Sequence, residues 1–167
     1  MSMAPTAKFD ASEGHKYFAA HCFNRAWDLI EKLNRTPEDD RLMVAINQAS
    51  IYHWLNRDDC DNKRLSIGYW QASRIQALIG HADEARRFAD VSLSYSAGLK
   101  PFYVGYAYEA LARAEFLAGN AVEAATHLKT AKALAAKVDE KDERELLLKD
   151  LATLDHPVAG VDAEVPK

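Results

Sequence analysis

The chain has 167 residues, 49% of them hydrophobic and 28% charged, with a formal charge of −4. That size and composition suit one globular domain with its own core. The mild acidic balance argues against a dedicated nucleic-acid binder, which carries a basic surplus to neutralise phosphates, and no apolar run approaches the ~20 residues of a membrane helix. Met1 to Asp10 holds one lysine and no long apolar stretch, so no secretory signal is expected and the cytoplasm is the expected compartment. Cys22 and Cys60 lie in no CxxC pair. They read as free thiols and not as a disulfide framework or zinc ligands.

The 7 glycines and 5 prolines fall at boundaries, and no stretch alternates apolar and polar residues long enough for a strand. An all-α chain is predicted. The first helix runs from Ser12 to Leu33, with Phe18, Cys22, Trp27, Ile30 and Leu33 at helical spacing. Thr36-Pro37-Glu38-Asp39 starts the second: threonine caps free amides, proline suits the first turn, and the acids suit the positive end of the dipole. That helix carries Leu42, Ile46, Ala49, Tyr52 and Leu55, and the polar run Asn56 to Asn62 follows as a loop.

The third helix covers Lys63 to Ile79 and stops at Gly80. The fourth covers Ala82 to Ala97 and stops at Gly98. The fifth opens at Pro101 and ends at Gly119. The sixth, Ala121 to Val138, places Ala121, Ala124, Ala125, Leu128, Ala131 and Leu134 on one face. The seventh, Glu140 to Leu154, has a charged start and a stripe of Leu147, Leu151 and Leu154. The expected organisation is a flexible start at 1–11, one helical domain at 12–154 and a disordered tail at 155–167.

Helices three-four and five-six repeat each other. Aligning Gly80 with Gly119 places Arg74 on Arg113, Ala85 on Ala124 and Phe88 on His127. In Gly80-His81-Ala82-Asp83-Glu84-Ala85 and Gly119-Asn120-Ala121-Val122-Glu123-Ala124, glycine allows the turn and alanine lets two backbones approach. This pattern resembles the tetratricopeptide repeat. The resemblance implies a right-handed superhelix of three antiparallel helix pairs with a C-terminal capping helix. It covers residues 63 to 138 well. The first pair fits in outline only, because Asn34 to Pro37 lacks the turn glycine. Over nearly the whole chain, runs such as Arg35-Thr36-Pro37-Glu38-Asp39-Asp40 and Tyr106-Ala107-Tyr108-Glu109-Ala110-Leu111-Ala112-Arg113-Ala114 also resemble a group of small bacterial proteins of tetratricopeptide-like fold whose role is not established.

In such an architecture the first helix of each pair lines the concave surface. Helix three then offers Trp70, Arg74 and Ala77. Helix five offers Tyr106, Glu109, Arg113 and Phe116, and helix one offers His21, Asn24, Arg25, Trp27 and Asp28. Two arginines with aromatics beside them suit a carboxylate-bearing peptide end. The competing reading puts Trp70 and Tyr106 in the core and pairs Arg74 and Arg113 with Glu109 or Glu115.

His53 lies between Tyr52 and Trp54 and reads first as a hydrogen-bonded core group. The spacing of His15, His21, Cys22 and His53 matches no zinc motif, and Asp58 to Asn62 lacks the glycine and terminal glutamate of a calcium loop. No nucleophile elbow, phosphate loop or dinucleotide fingerprint occurs. The sequence therefore predicts a non-catalytic protein- or peptide-binding module with no cofactor or metal, no nucleic-acid or membrane partner, and a possible homodimer through helix seven or the groove. The alternative is a small-molecule sensor or enzyme with an enclosed pocket near Trp27, His53, Trp54 and Trp70.

Overall fold

The structure, a computed structural model, describes residues Phe9 to Asp155. Most of the expected flexible start and disordered tail lies outside them. Among the described residues the chain forms seven helices and no strand. They are α1 (Ala11–Ile30), α2 (Pro37–Leu55), α3 (Asn62–Leu78), α4 (Ala82–Ser96), α5 (Pro101–Ala118), α6 (Ala121–Ala135) and α7 (Lys141–Ala152). No helix is long and apolar enough to cross a membrane.

Local chemistry sets the ends. Thr36 and Asp39 form a capping box: Asp39 N–H donates to Thr36 Oγ1 at 3.2 Å and Thr36 N–H to Asp39 Oδ2 at 2.8 Å. Asp61 caps α3 by accepting from Arg64 N–H at 2.8 Å, and Asp59 pairs with Arg57, so the acidic loop serves the helix start. Gly80 and Gly119 hold left-handed φ values of 85° and 81°. At each, the amide just after the glycine bonds back: His81 N–H to Gln76 O and Asn120 N–H to Glu115 O, both 2.9 Å. The side chains repeat this link, His81 to Gln76 and Asn120 to Glu115. The sequence repeat is thus a repeat of turn geometry.

Consecutive helices pack as antiparallel pairs, α1 on α2, α3 on α4 and α5 on α6. Small residues line these seams. Ala19, Ala26, Ala72, Ala85, Ala89, Ala107, Ala110, Ala124 and Ala131 are all buried. Serines reinforce two seams by donating to backbone carbonyls across them: Ser50 to Ala19 at 2.7 Å, Ser73 to Ala85 at 2.8 Å and Ser92 to Ser66 at 2.9 Å. The odd-numbered helices also touch one another in succession, whereas α2, α4 and α6 make no direct approach to each other. The odd helices therefore form one layer and the even helices a second, whose members stand apart; the odd layer, which carries the cleft described below, is called inner.

Three predicted faces are corrected by this packing. In α1 the buried residues are Ala19, Ala26 and Leu29. Phe18 is exposed, and Leu33 lies beyond the helix end, 96% exposed. In α2 the core face is Met43, Asn47, Ser50 and Ile51, while Leu42, Tyr52 and Leu55 are exposed. Asn47 stays buried because its amide donates to Gln71 Oε1 at 3.0 Å and to Gly68 O at 3.3 Å. In α6, Ala124, Leu128, Ala131 and Ala135 face inward, and Ala121 and Ala125 do not.

The predicted stripe of α7 packs as expected, with Leu147, Leu151 and Leu154 in one cluster with Tyr106, Leu128 and Ala131. The helix docks where α5 has no side chain: a Cβ at Gly105 would lie 2.7 Å from Leu147 Cδ2. Gly105→Val should therefore overpack this contact and destabilise the fold by ~1–3 kcal/mol in urea unfolding. An unchanged midpoint would refute the α5–α7 packing described.

Candidate functional site

Residues on α3 and α5 converge on Glu109, a carboxylate with 0% exposure. Burying such a charge is costly unless it is paired and hydrogen-bonded. Glu109 Oε2 accepts from Trp70 Nε1 at 2.9 Å. Its Oε1 accepts from Arg74 Nη1 at 3.1 Å and Arg113 Nε at 2.8 Å, with a further bond from Arg113 Nη2. Arg113 Nη2 also donates to Thr153 Oγ1 at 2.8 Å, at the end of α7. Burial pulls the Arg74 guanidinium below its ordinary proton affinity, and Glu109 pushes back. Arg74 and Arg113 therefore spend their forks on a carboxylate of the chain itself, and α3, α5 and α7 are tied at one point.

A cleft of about 430 Å³ opens beside this network. Trp27 and Glu31 line it from α1, and Ser66, Ile67 and Trp70 from α3. Phe102, Tyr103 and Tyr106 enter from α5, and Leu146, Lys149 and Asp150 from α7. Neither arginine lines it. The aromatic rings form a continuous set: Trp27 to Trp70 at 5.5 Å between centroids, Trp70 to Tyr106 at 4.8 Å and Tyr106 to Phe102 at 5.0 Å. The last two are edge-to-face, the geometry that ring quadrupoles favour. The Tyr106 hydroxyl donates to Asp150 Oδ2 at 2.8 Å. Burial, and then the negative charge of Asp150, push this phenol far above its usual range.

The remaining predicted positions lie elsewhere. Asn24 is exposed and borders a smaller hollow of about 190 Å³ with Phe23, Trp54 and Arg64. Arg57 and Arg64 hold their guanidinium groups over the Trp54 ring, at 4.0 and 5.0 Å from its centroid. Arg25 and Asp28 pair with each other on the surface of α1. His53 Nδ1 lies 2.8 Å from His15 Nδ1, with Phe18 stacked on the ring. The enclosed pocket expected near Trp27, His53, Trp54 and Trp70 is thus not formed. Trp27 and Trp70 share an open cleft, and His53 and Trp54 belong to other places. Cys22 and Cys60 are free thiols. No group of three or more His, Cys, Asp or Glu side chains among the described residues is placed to hold a metal ion.

Sequence reasoning missed Phe102, Tyr103 and the wall supplied by α7. The triplet Phe102, Tyr103 and Tyr106 at the start of a helix was a usable signal, but nothing local placed Asp150 against Tyr106. Comparison of the chain with protein-family models, curated proteins and solved structures gives no match.

The histidine pair has a pH consequence. A single proton can bridge the two Nδ1 atoms, so at least one ring must be neutral. Desolvation, and then the charge of His15, lower the proton affinity of His53 below its ordinary value. The folded state then binds this proton less well than the unfolded chain. The contribution of His53 is full above the ordinary histidine pKa of ~6.5 and is lost as pH falls below that value and through the lower folded-state one. His53→Gln should flatten the loss of unfolding free energy between about pH 7.5 and pH 5.5. Equal slopes in the two proteins would contradict this.

Proposed function

We propose that the chain is a tetratricopeptide-like, non-catalytic binding module whose inner cleft receives a segment of another protein. The observation that carries this reading is the cleft itself: aromatic rings from three inner-layer helices gathered in one open depression. Such rings supply large contact area at low cost in side-chain entropy. Support also comes from the inner position of α1, α3, α5 and α7 and from the turn geometry repeated at Gly80 and Gly119.

The groove set of Asn24, Trp27, His53, Trp70, Arg74, Tyr106, Glu109 and Arg113 divides under this reading. Trp27, Trp70 and Tyr106 meet the occupant. Arg74, Glu109 and Arg113 hold the helices that present them. Asn24 and His53 take no part. A second reading, binding of a small amphipathic molecule, is favoured by the cleft volume, which lies within the usual range for such ligands.

Selection from a random displayed-peptide library against the whole chain tests the first reading. Enriched peptides should bind with an affinity that falls about tenfold or more in Tyr103→Ala, a half-buried cleft residue whose loss leaves the Glu109 network intact. Absence of any enriched peptide, or enrichment insensitive to Tyr103→Ala, would refute it. A rise in melting temperature with a small ligand but with no peptide would favour the second reading instead.

A further inference from the structure

We infer that the group this cleft receives is the positively charged side chain of a lysine or arginine on the docked segment. The inference rests on the binding-module reading and adds its specificity. Three features of the cleft point the same way. First, its aromatic content is high and clustered, with Trp27, Trp70, Tyr103 and Tyr106 all in the walls. The faces of such rings attract cations through their quadrupoles, tryptophan most strongly. Second, two carboxylates from different helices stand in the walls, Glu31 at the end of α1 and Asp150 on α7. Glu31 has no ion-pair partner within 4.0 Å among the described residues. Asp150 engages Tyr106 through Oδ2 and leaves Oδ1 for an incoming donor. Third, the groups that would have drawn an anion are already occupied. Arg74 and Arg113 lie outside the walls and share Glu109.

The long methylene stem of a basic side chain suits this arrangement. It can cover the rings while its charged end reaches a carboxylate at the rim. The chain already builds a contact of this kind for itself, where Arg57 and Arg64 lie over Trp54. Lys149 is the one cation in the cleft walls and opposes the inference. It is exposed, and its flexible stem can carry the ammonium group away from the cleft.

The test starts from peptides enriched by the library selection. Each basic residue is replaced in turn by norleucine, which keeps the stem and removes the charge. One such replacement should weaken binding about tenfold. Glu31→Gln, at an exposed position, should weaken the basic peptide several-fold and leave the norleucine peptide unchanged, and Lys149→Gln should tighten the basic peptide. Selected peptides with no basic residue, or norleucine forms that bind equally well, would overturn the inference and leave the module reading intact. If the library yields no binder at all, both fall.

Discussion

One buried carboxylate organises the inner face of this protein. Glu109 is wholly removed from water, and two guanidinium groups and an indole N–H satisfy its two oxygens. A lone carboxylate at that depth would be neutralised or expelled. The arginines make it stable as an ion, and it fixes them in turn. Because Arg113 also reaches Thr153, the same carboxylate indirectly sets the position of α7. It also orients Trp70. With its N–H committed to Glu109, the indole stands edge-to-face with Tyr106 and 5.5 Å from Trp27. The cleft is shaped on one side by a network of which it contains only Trp70.

The rest of the inner layer follows the same economy of space. Seams between paired helices are built from alanine, serine and glycine, so the backbones come close enough for Ser50, Ser73 and Ser92 to bond carbonyls across them. This explains which parts of the fold were legible in the sequence. Helix ends were readable because their signals are local: the Thr36–Asp39 box and the left-handed Gly80 and Gly119 lie where the residue types put them. The repeat between helices three-four and five-six was readable for the same reason.

Helix faces were less readable. Counting large apolar residues at helical spacing picks Phe18 and Leu33 in the first helix, and Leu42, Tyr52 and Leu55 in the second. The packed faces are instead Ala19 and Ala26, and Met43, Asn47 and Ser50. Here the partner helix selects for small volume and for matched hydrogen bonds ahead of hydrophobicity. Asn47 and Gln71 are inside because each satisfies the other and a backbone carbonyl. Of the candidate site, the pairing of Arg74 and Arg113 with Glu109 was one of two readings the repeat offered. The cleft was not legible. Its walls come from four helices, and contacts such as Tyr106 with Asp150, 44 positions apart, leave no local trace.

The central claim is that Glu109 is held as a charged, doubly paired carboxylate. Glu109→Gln, measured by denaturant unfolding in the native background and in the Arg74→Met, Arg113→Met background, tests it most directly. In the native background the substitution should cost about 3 kcal/mol, because it leaves two largely buried guanidinium groups without the carboxylate that pairs them. With both arginines gone the same substitution removes an uncompensated buried charge, so its effect should shrink to zero or reverse sign. An equal cost in both backgrounds would contradict the account.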